Sequence, residues 1–422
     1  MQATKHLLPT GARLITIPQP DSLSTTFLIL VEAGSKYESK ELSGLSHFLE
    51  HMCFKGTTKR PRPLNISSDL DSLGAHYNAF TSQEYTGYYA TVEPKMALPA
   101  LEIVSDIYLN SRFPAEEIEK EKGVIVEEIN MYEDMPQRQV QDLLFELMYG
   151  DQPAGWNIAG TRETVRSLTR DNFIDYRSKH YVAAGTVIVV AGRFSDPQLH
   201  RQLHQHLGHI PQTAKAGKLA VTEQQTSPRL LLKHKVSDQT HLAFGVRAYP
   251  VGHPDYATVE VLASVLGGGM SSRLFTKIRE ELGAAYYVRS SHEVFTDHGL
   301  VLTAVGADNR RAATIIEAVL EESKRLGHTL VPAAELKRVK QFLIGNLFLS
   351  LETSNALAMF YGVQEVWGQK LQSPRALARR LQAVTAADVR RVARDLFIGR
   401  HLNLAMVGPF TDEAQFASSL NF

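Results

Sequence analysis

The chain carries the same series of segments in each of its two halves. Residues 190–196 resemble residues 407–412, and in this alignment Gly192 matches a glycine 216 positions later. Two further pairs occur in the same order at nearly the same separation: residues 26–31 with 240–246, and residues 114–118 with 332–336. A chain of 422 residues also exceeds the size of one ordinary hydrophobic core. The repeat therefore predicts two domains that share one fold.

Each half mixes β-type segments with long helical ones. In the first half, residues 14–18, 26–31 and 85–92 are rich in β-branched and aromatic side chains. Thr169 and Thr385 each precede a helical segment and are typical N-cap residues. Because the elements do not alternate strictly as β-α-β, we predict an α+β fold. Each of the two duplicated homologous domains would be a largely antiparallel sheet packed with helices.

A polar stretch rich in small residues separates the two halves. Residues 212–228 contain Gln, Thr, Ser, Lys and Gly but few large apolar side chains, which is typical of a linker. We therefore predict a first domain over residues 1–211 and a second over residues 229–422.

Composition excludes several classes of function. Apolar residues make up 44% of the chain and charged residues 21%, as in globular proteins. Lys and Arg number 45, as do Asp and Glu, so we expect neither nucleic acid nor an anionic membrane as partner. No stretch of about 20 apolar residues suggests a membrane span, and the N-terminus lacks a secretory pattern, so we expect a cytoplasmic protein. Cys53 is the single cysteine, which excludes an internal disulfide and a thiolate zinc site.

The first half contains the motif His47-Phe48-Leu49-Glu50-His51. On a helix, residues four apart share a face, so both imidazoles can reach one metal ion and Glu50 can lie beside it. This H-x-x-E-H order is the reverse of the H-E-x-x-H zinc motif of many metallopeptidases. The corresponding positions of the second half are Ala263, Leu266 and Gly267, so that half lacks the site.

A catalytic zinc ion usually has three protein ligands, and two histidines leave one to be found. The charged helical segment 114–129 is the best source. Glu121 and Glu128 are seven residues apart and share a helix face, whereas Glu127 points about 100° away from Glu128. Spacing alone does not choose between Glu127 and Glu128.

The motif resembles that of the inverzincins, the zinc metallopeptidase family that contains pitrilysin, insulin-degrading enzyme and the mitochondrial processing peptidase; this chain would be of the short single-chain type. Segments on both sides of the motif and in the second half are also similar to family patterns: Gly44–Ser46, Phe54–Thr57, Asn78–Thr86, Gly267–Phe275 and Arg279–Tyr286. The resemblance implies one Zn²⁺ per chain, bound by His47, His51 and Glu128, with Glu50 as general base. It also implies that Glu121 orients a ligand.

The resemblance further implies how a peptide substrate would bind. The edge strand that adds the substrate as an extra β-strand corresponds to Asn78, Ala79, Phe80, Thr81 and Ser82. Arg279 and Tyr286 would hold the substrate backbone. Many relatives have an Arg-Gly pair where this chain has Leu282-Gly283, so Tyr287 is the alternative to Tyr286.

The predicted function is that of a zinc-dependent endopeptidase, with a catalytic first domain and a second domain that contributes to substrate binding. The alternative is a peptide-binding or scaffold subunit that has lost catalysis, as some members of the family have. Because the chain carries both the zinc ligands and the Arg/Tyr pair, we expect a homodimer rather than a heterodimer with a related subunit. Whether Arg279 and Tyr286 serve their own zinc or that of the neighbouring subunit stays open at this stage.

Overall fold

The structure is a computed structural model that describes residues 3–417 and 419–420. The strands are β1 (Thr4–Leu7), β2 (Arg13–Pro18), β3 (Thr25–Val31), β4 (His76–Thr81), β5 (Thr86–Val92), β6 (Thr186–Gly192), β7 (Arg229–His234), β8 (Gln239–Ala248), β9 (Ala285–Val294), β10 (Gly299–Asp308) and β11 (Asn403–Gly408).

Helices of different lengths lie between groups of these strands. The α-helices are α1 (Leu45–Cys53), α2 (Pro63–Ser72), α3 (Ala97–Asn110), α4 (Ala115–Asp134), α5 (Pro136–Tyr149), α6 (Arg162–Ser167), α7 (Arg170–His180), α8 (Asp196–Leu207), α9 (Tyr256–Gly267), α10 (Ala312–His328), α11 (Ala333–Leu349), α12 (Ser354–Val366), α13 (Pro374–Ala383), α14 (Ala386–Leu396) and α15 (Ala414–Ala417). Thr169 and Thr385 are the N-cap residues of α7 and α14, as predicted.

The chain forms two compact units. The first comprises Met1–Ile129, Trp156–Leu219 and Phe348–Ser373, and the second comprises Asn130–Gly155, Ala220–Leu347 and Pro374–Phe422. The change from the first unit to the second at Leu219 falls within the predicted linker.

The first unit is built on a six-stranded sheet with the order β1-β2-β6-β3-β5-β4. Only the β2/β6 pair is parallel. Along β3, Phe27 and Ile29 pack into the core cluster that also holds Phe48 and Leu49 of α1. The alternate residues Leu28 and Leu30 are equally buried but face the other way, because side chains alternate between the two faces of a strand. Both faces of this sheet are therefore apolar.

The second unit repeats this arrangement with five strands in the order β7-β11-β8-β10-β9. Each strand takes the place of a strand of the first sheet, with β7 equivalent to β2 and β9 equivalent to β4. The single parallel pair, β7/β11, also occupies the equivalent position. The predicted α+β fold of two duplicated, largely antiparallel domains is confirmed.

Two helices lie on the sheet of the opposite half of the chain. Helix α12 comes late in the chain but packs on β3 and β6 of the first unit. A Cβ at Gly362 would lie only 2.8 Å from Leu30 and 3.0 Å from Val189, so glycine permits this close approach. The hydroxyl of Ser354, at the start of α12, shares a 2.8 Å hydrogen bond with that of Thr26 in β3.

Helix α5 covers the second sheet in the same way. Leu144 and Met148 pack in one cluster with apolar residues of β8, β10 and β11. The carbonyls near the C-terminus of α5 accept hydrogen bonds from two arginines of the second sheet: Arg229 donates to Leu147 at 3.0 Å and Arg247 donates to Met148 at 2.9 Å. The predicted boundaries 1–211 and 229–422 did not anticipate this exchange of helices, in which α5 covers the second sheet and α12 covers the first. A repeat in the sequence does not say which sheet a helix covers.

No helix within residues 3–417 and 419–420 combines the length and the apolar character needed to cross a membrane.

Candidate metal centre

Helix α1 presents the H-x-x-E-H motif. Phe48, Leu49 and Met52 are fully buried in the core of the first unit and fix one face of the helix. His47 and His51, on another face, are only partly buried. The 3.6-residue period of the helix thus separates the residues that anchor it from those that carry chemistry.

The two histidines and Glu128 of α4 converge on one point. Nε2 of His47 lies 3.7 Å from Oε2 of Glu128, and Nε2 of His51 lies 3.6 Å from the same oxygen. The three ligand atoms all lie within 4.8 Å of one another. Tetrahedral zinc with bonds of about 2.0–2.1 Å would place its ligand atoms roughly 3.4 Å apart. The donor set and its spacing therefore fit a zinc ion, and the exposed Glu127 does not belong to the cluster.

Glu121, one of the predicted residues, orients His51. Its Oε1 lies 2.9 Å from Nδ1 of His51, and its Oε2 forms a 2.6 Å ion pair with Lys55. With Nδ1 engaged in this way, Nε2 is the ring nitrogen that faces Glu128. Carboxylate partners of this kind fix the tautomer and orientation of metal-binding histidines.

The electrostatics around the two imidazoles differ. Burial, followed by the charge of His51, lowers the pKa of His47 to about 4, so His47 is neutral at physiological pH, which is the form that binds metal. Burial also opposes charge on His51, but the hydrogen bond that His51 donates to Glu121 and the surrounding carboxylates outweigh it and raise the pKa of His51.

Glu50 lies beside this cluster without belonging to it. Thr81, at the end of β4, donates a 2.7 Å hydrogen bond from its hydroxyl to Oε2 of Glu50. Burial raises the pKa of Glu50 above that of an exposed carboxyl group. A carboxylate with a raised pKa next to a metal site is suited to accept and return a proton.

The predicted substrate strand is an edge strand. Asn78–Thr81 lie in β4, which ends the sheet and, among the described strands, pairs with β5 alone. Ser82 lies in the segment that follows. Asn78 is exposed and Ala79 is buried. The ring of Phe80 lies over Gly87 of β5. The free side of an edge strand offers N–H and C=O groups that can pair with a peptide.

Arg279 and Tyr286 belong to the second unit, and the structure brings them together with each other. Arg279 lies on a π-helical turn, Phe275–Glu281, and donates from Nη1 to the carbonyl of Tyr286 at 3.3 Å. The side chain of Tyr286 is 62% exposed, whereas the hydroxyl of Tyr287 bonds to Nδ1 of His241 at 3.0 Å. Tyr286 is therefore the tyrosine available to a ligand, and its part in catalysis stays a prediction.

Glu38 is a contributor that sequence reasoning missed. Its buried carboxylate accepts hydrogen bonds from the backbone N–H groups of Gly44 at 2.8 Å and Ser46 at 2.6 Å, at the start of α1. These donors have no partner within the helix, so Glu38 satisfies them and fixes the first turn before His47. No spacing rule links position 38 to the motif, because the contact depends on how the preceding loop folds back.

Comparison with known proteins places the chain in a family. Residues 13–162 match the family model described as Insulinase (Peptidase family M16), and residues 167–343 match the model described as Peptidase M16 inactive domain. The chain belongs to peptidase family M16. The predicted resemblance to the pitrilysin and insulin-degrading enzyme family is thereby confirmed.

Several M16 relatives span nearly the whole chain. It is 36% identical over 406 residues to an uncharacterized zinc protease of Bacillus subtilis, covering 96% of this chain and 98% of that protein. It is 35% identical over 416 residues to an uncharacterized zinc protease of Streptomyces coelicolor, covering 96% and 89%. The crystal structure of a protease from Helicobacter pylori matches with a TM-score of 0.91 at 20% identity, over 97% of this chain and 99% of that one, so the two chains share a fold.

Proposed function

We propose that this M16 protein is a zinc-dependent endopeptidase that hydrolyses peptides or unfolded segments. The observation that carries the proposal is the convergence of His47, His51 and Glu128 on one point, with the Glu50 carboxylate held beside them. The names of the relatives, which are zinc proteases, support the same conclusion.

Each residue of the site has a distinct task in this proposal. His47, His51 and Glu128 would hold the zinc ion, which supplies a Lewis acid that polarises the scissile carbonyl and acidifies a water molecule. Glu50 accepts the proton of the attacking water and delivers it to the leaving amine. The free side of β4 aligns the peptide through main-chain hydrogen bonds. Arg279 and Tyr286 position the peptide backbone.

The alternative of an inactive peptide-binding subunit has less support. Such a subunit needs neither a general base nor a complete ligand set. This chain carries three side chains that could hold a metal and a carboxylate suited to act as the base, which supports the enzyme. A protein that binds peptides but shows no hydrolysis, with or without a chelator, would favour the alternative. Loss of hydrolysis on chelation and its recovery with added zinc would favour the enzyme.

The matched variants Glu50→Gln and Glu128→Gln separate the base from the ligand. We expect Glu50→Gln to retain one zinc per chain and to lose about 10²- to 10⁴-fold in kcat, because only proton transfer is removed. We expect Glu128→Gln to lose most of its zinc as well as its activity, because an amide is a poor substitute for a carboxylate ligand. Metal analysis and mass spectrometry of products from a mixed peptide library measure the two effects.

Either variant can contradict its assignment. Full hydrolysis by Glu50→Gln would reject Glu50 as general base. Unchanged zinc content in Glu128→Gln would reject Glu128 as the third ligand.

A further inference from the structure

Thr81 contacts Glu50 although the two residues lie on different elements of the first unit. The hydroxyl of Thr81 donates to Oε2 of Glu50 at 2.7 Å. Among residues 3–417 and 419–420, Thr81 is the one side chain that hydrogen-bonds to this carboxylate. One carboxylate oxygen of Glu50 is therefore anchored, and no residue that the structure describes hydrogen-bonds to the other.

Anchoring one oxygen restricts a side chain that otherwise rotates about three bonds. A general base works only within hydrogen-bond reach of the proton that it accepts, so a fixed orientation favours proton transfer. A single hydroxyl at 2.7 Å removes much of this freedom while leaving the second oxygen available.

The strand that carries Thr81 is also the strand with a free edge. Thr81 pairs with Thr86 of β5 through its backbone, and no strand in the described part of the chain pairs with the opposite side of β4. A peptide added to that side would take its register from the same strand whose last residue holds Glu50. The residue that orients the base and the edge that would align the peptide thus belong to the same strand, β4.

We propose that Thr81 is a positioning residue that aligns Glu50 with the peptide bound along β4. This role rests on the proposed endopeptidase function, in which Glu50 is the general base. It goes beyond the predicted role of Thr81 as part of a substrate-binding strand, because the hydroxyl acts on the base rather than on the peptide.

Three variants test the proposal. Thr81→Val keeps the β-branched shape and removes the hydroxyl, and Thr81→Ser keeps the hydroxyl. Thr91→Val is the matched control on β5, since the hydroxyl of Thr91 shares a hydrogen bond with Thr26 and not with Glu50. Thr81→Ala replaces Thr81→Val if that protein does not fold.

We expect Thr81→Val to lose about 10- to 100-fold in kcat, the cost of one hydrogen bond to a charged group. KM and zinc content should stay at the wild-type values. Thr81→Ser should restore kcat to within about threefold of wild type because it returns the same donor. Thr91→Val should leave kcat unchanged.

Two further measurements show whether Thr81 acts through Glu50. In the Glu50→Gln protein, adding Thr81→Val should cause no further loss of residual activity, as expected for a pair that works as one unit. Fluorescence anisotropy of a labelled peptide on the zinc-loaded Glu50→Gln protein should give the same affinity with and without Thr81→Val.

The following results would overturn the proposal. An unchanged kcat in Thr81→Val, or an equal loss in Thr81→Ser, would show that the hydroxyl does not position the base. A weaker peptide affinity with unchanged kcat would assign Thr81 to the peptide instead. Full activity of Glu50→Gln alone would reject Glu50 as the general base, on which this proposal rests, and is recognisable without any Thr81 variant. Absence of hydrolysis by the zinc-loaded wild-type protein would overturn the proposed function itself.

Discussion

At the scale of single residues, the metal centre depends on groups outside the motif. Glu38 is buried where two backbone N–H groups of α1 point at its carboxylate, and Tyr176 lies close enough to interact with it electrostatically. Burial is the largest influence and raises the pKa of Glu38 from 4.5 to about 8, although the hydrogen bonds from Ser46 and Gly44 act in the opposite direction. The loop before α1 thus contains a carboxyl group that is mostly protonated at neutral pH.

This shift predicts how stability depends on pH. Because the pKa of Glu38 is raised on folding, its contribution is fully present below 4.5 and is lost as the pH rises through about 8. Glu38→Gln has no charge to bury at any pH. We expect the melting temperature of the metal-free wild-type protein, relative to that of Glu38→Gln, to fall between pH 5.5 and pH 8.5. Differential scanning fluorimetry measures both proteins. A melting temperature of wild type that stays constant or rises relative to that of Glu38→Gln over this range would contradict the raised pKa.

How well each site residue could be predicted depends on how local its geometry is. His47, Glu50 and His51 were found because a helix fixes their spacing. Spacing did not choose between Glu127 and Glu128, because both lie on α4. The family resemblance indicated Glu128, and the fold places that residue beside the histidines. Glu38 and the contact of Thr81 with Glu50 were out of reach, since both join segments that the sequence does not place side by side.

At the scale of elements, the strands were predictable and the exchange of helices was not. Predicted segments such as residues 26–31 and 85–92 agree with β3 and β5 to within one residue. Apolar runs define a strand locally, but both sheets are buried on two faces, so the pattern does not say which helix covers which face. The placement of α5 and α12 therefore emerges only from the three-dimensional structure.

The exchange of helices predicts that a core substitution in α5 destabilises the second sheet. Leu144 is fully buried against the second sheet, so Leu144→Ala should destabilise the protein by about 2–5 kcal/mol. Glu146→Ala, at an exposed position of the same helix, should change stability by less than about 0.5 kcal/mol. Urea unfolding measures both values.

Hydrogen exchange then locates the effect of Leu144→Ala. Protection should fall in β8 and β11 of the second sheet, although Leu144 precedes the linker in the chain. A loss of protection confined to β3 and β6 would contradict the exchange.

At the scale of the whole molecule, we propose a homodimer. One chain carries the zinc ligands on its first unit and the pair Arg279 and Tyr286 on its second, so no other subunit is needed to complete the set. We expect light scattering to give a dimer mass at the concentrations at which peptides are cleaved. A monomer that stays active at high dilution would contradict this.

Mixing two inactive variants tells whether the pair serves the neighbouring zinc. If Arg279 acts across the dimer, subunits of Glu50→Gln exchanged with subunits of Arg279→Ala should form mixed dimers with one intact site each. Such a mixture should recover about a quarter of wild-type activity, because half of the dimers are mixed and each has one of two sites. No recovery after verified subunit exchange would indicate that Arg279 acts within its own chain.

The position of α12 in the chain has a consequence during synthesis. The strands of the first sheet are all translated once β6 ends at Gly192, but the helix that covers Leu28, Leu30 and Val189 begins only at Ser354. At ribosomal rates of about 5–20 residues per second, that apolar surface stays uncovered for on the order of 10 to 30 s before α12 is translated. The nascent chain is therefore most exposed to aggregation, and most dependent on chaperones, while its second half is still being made.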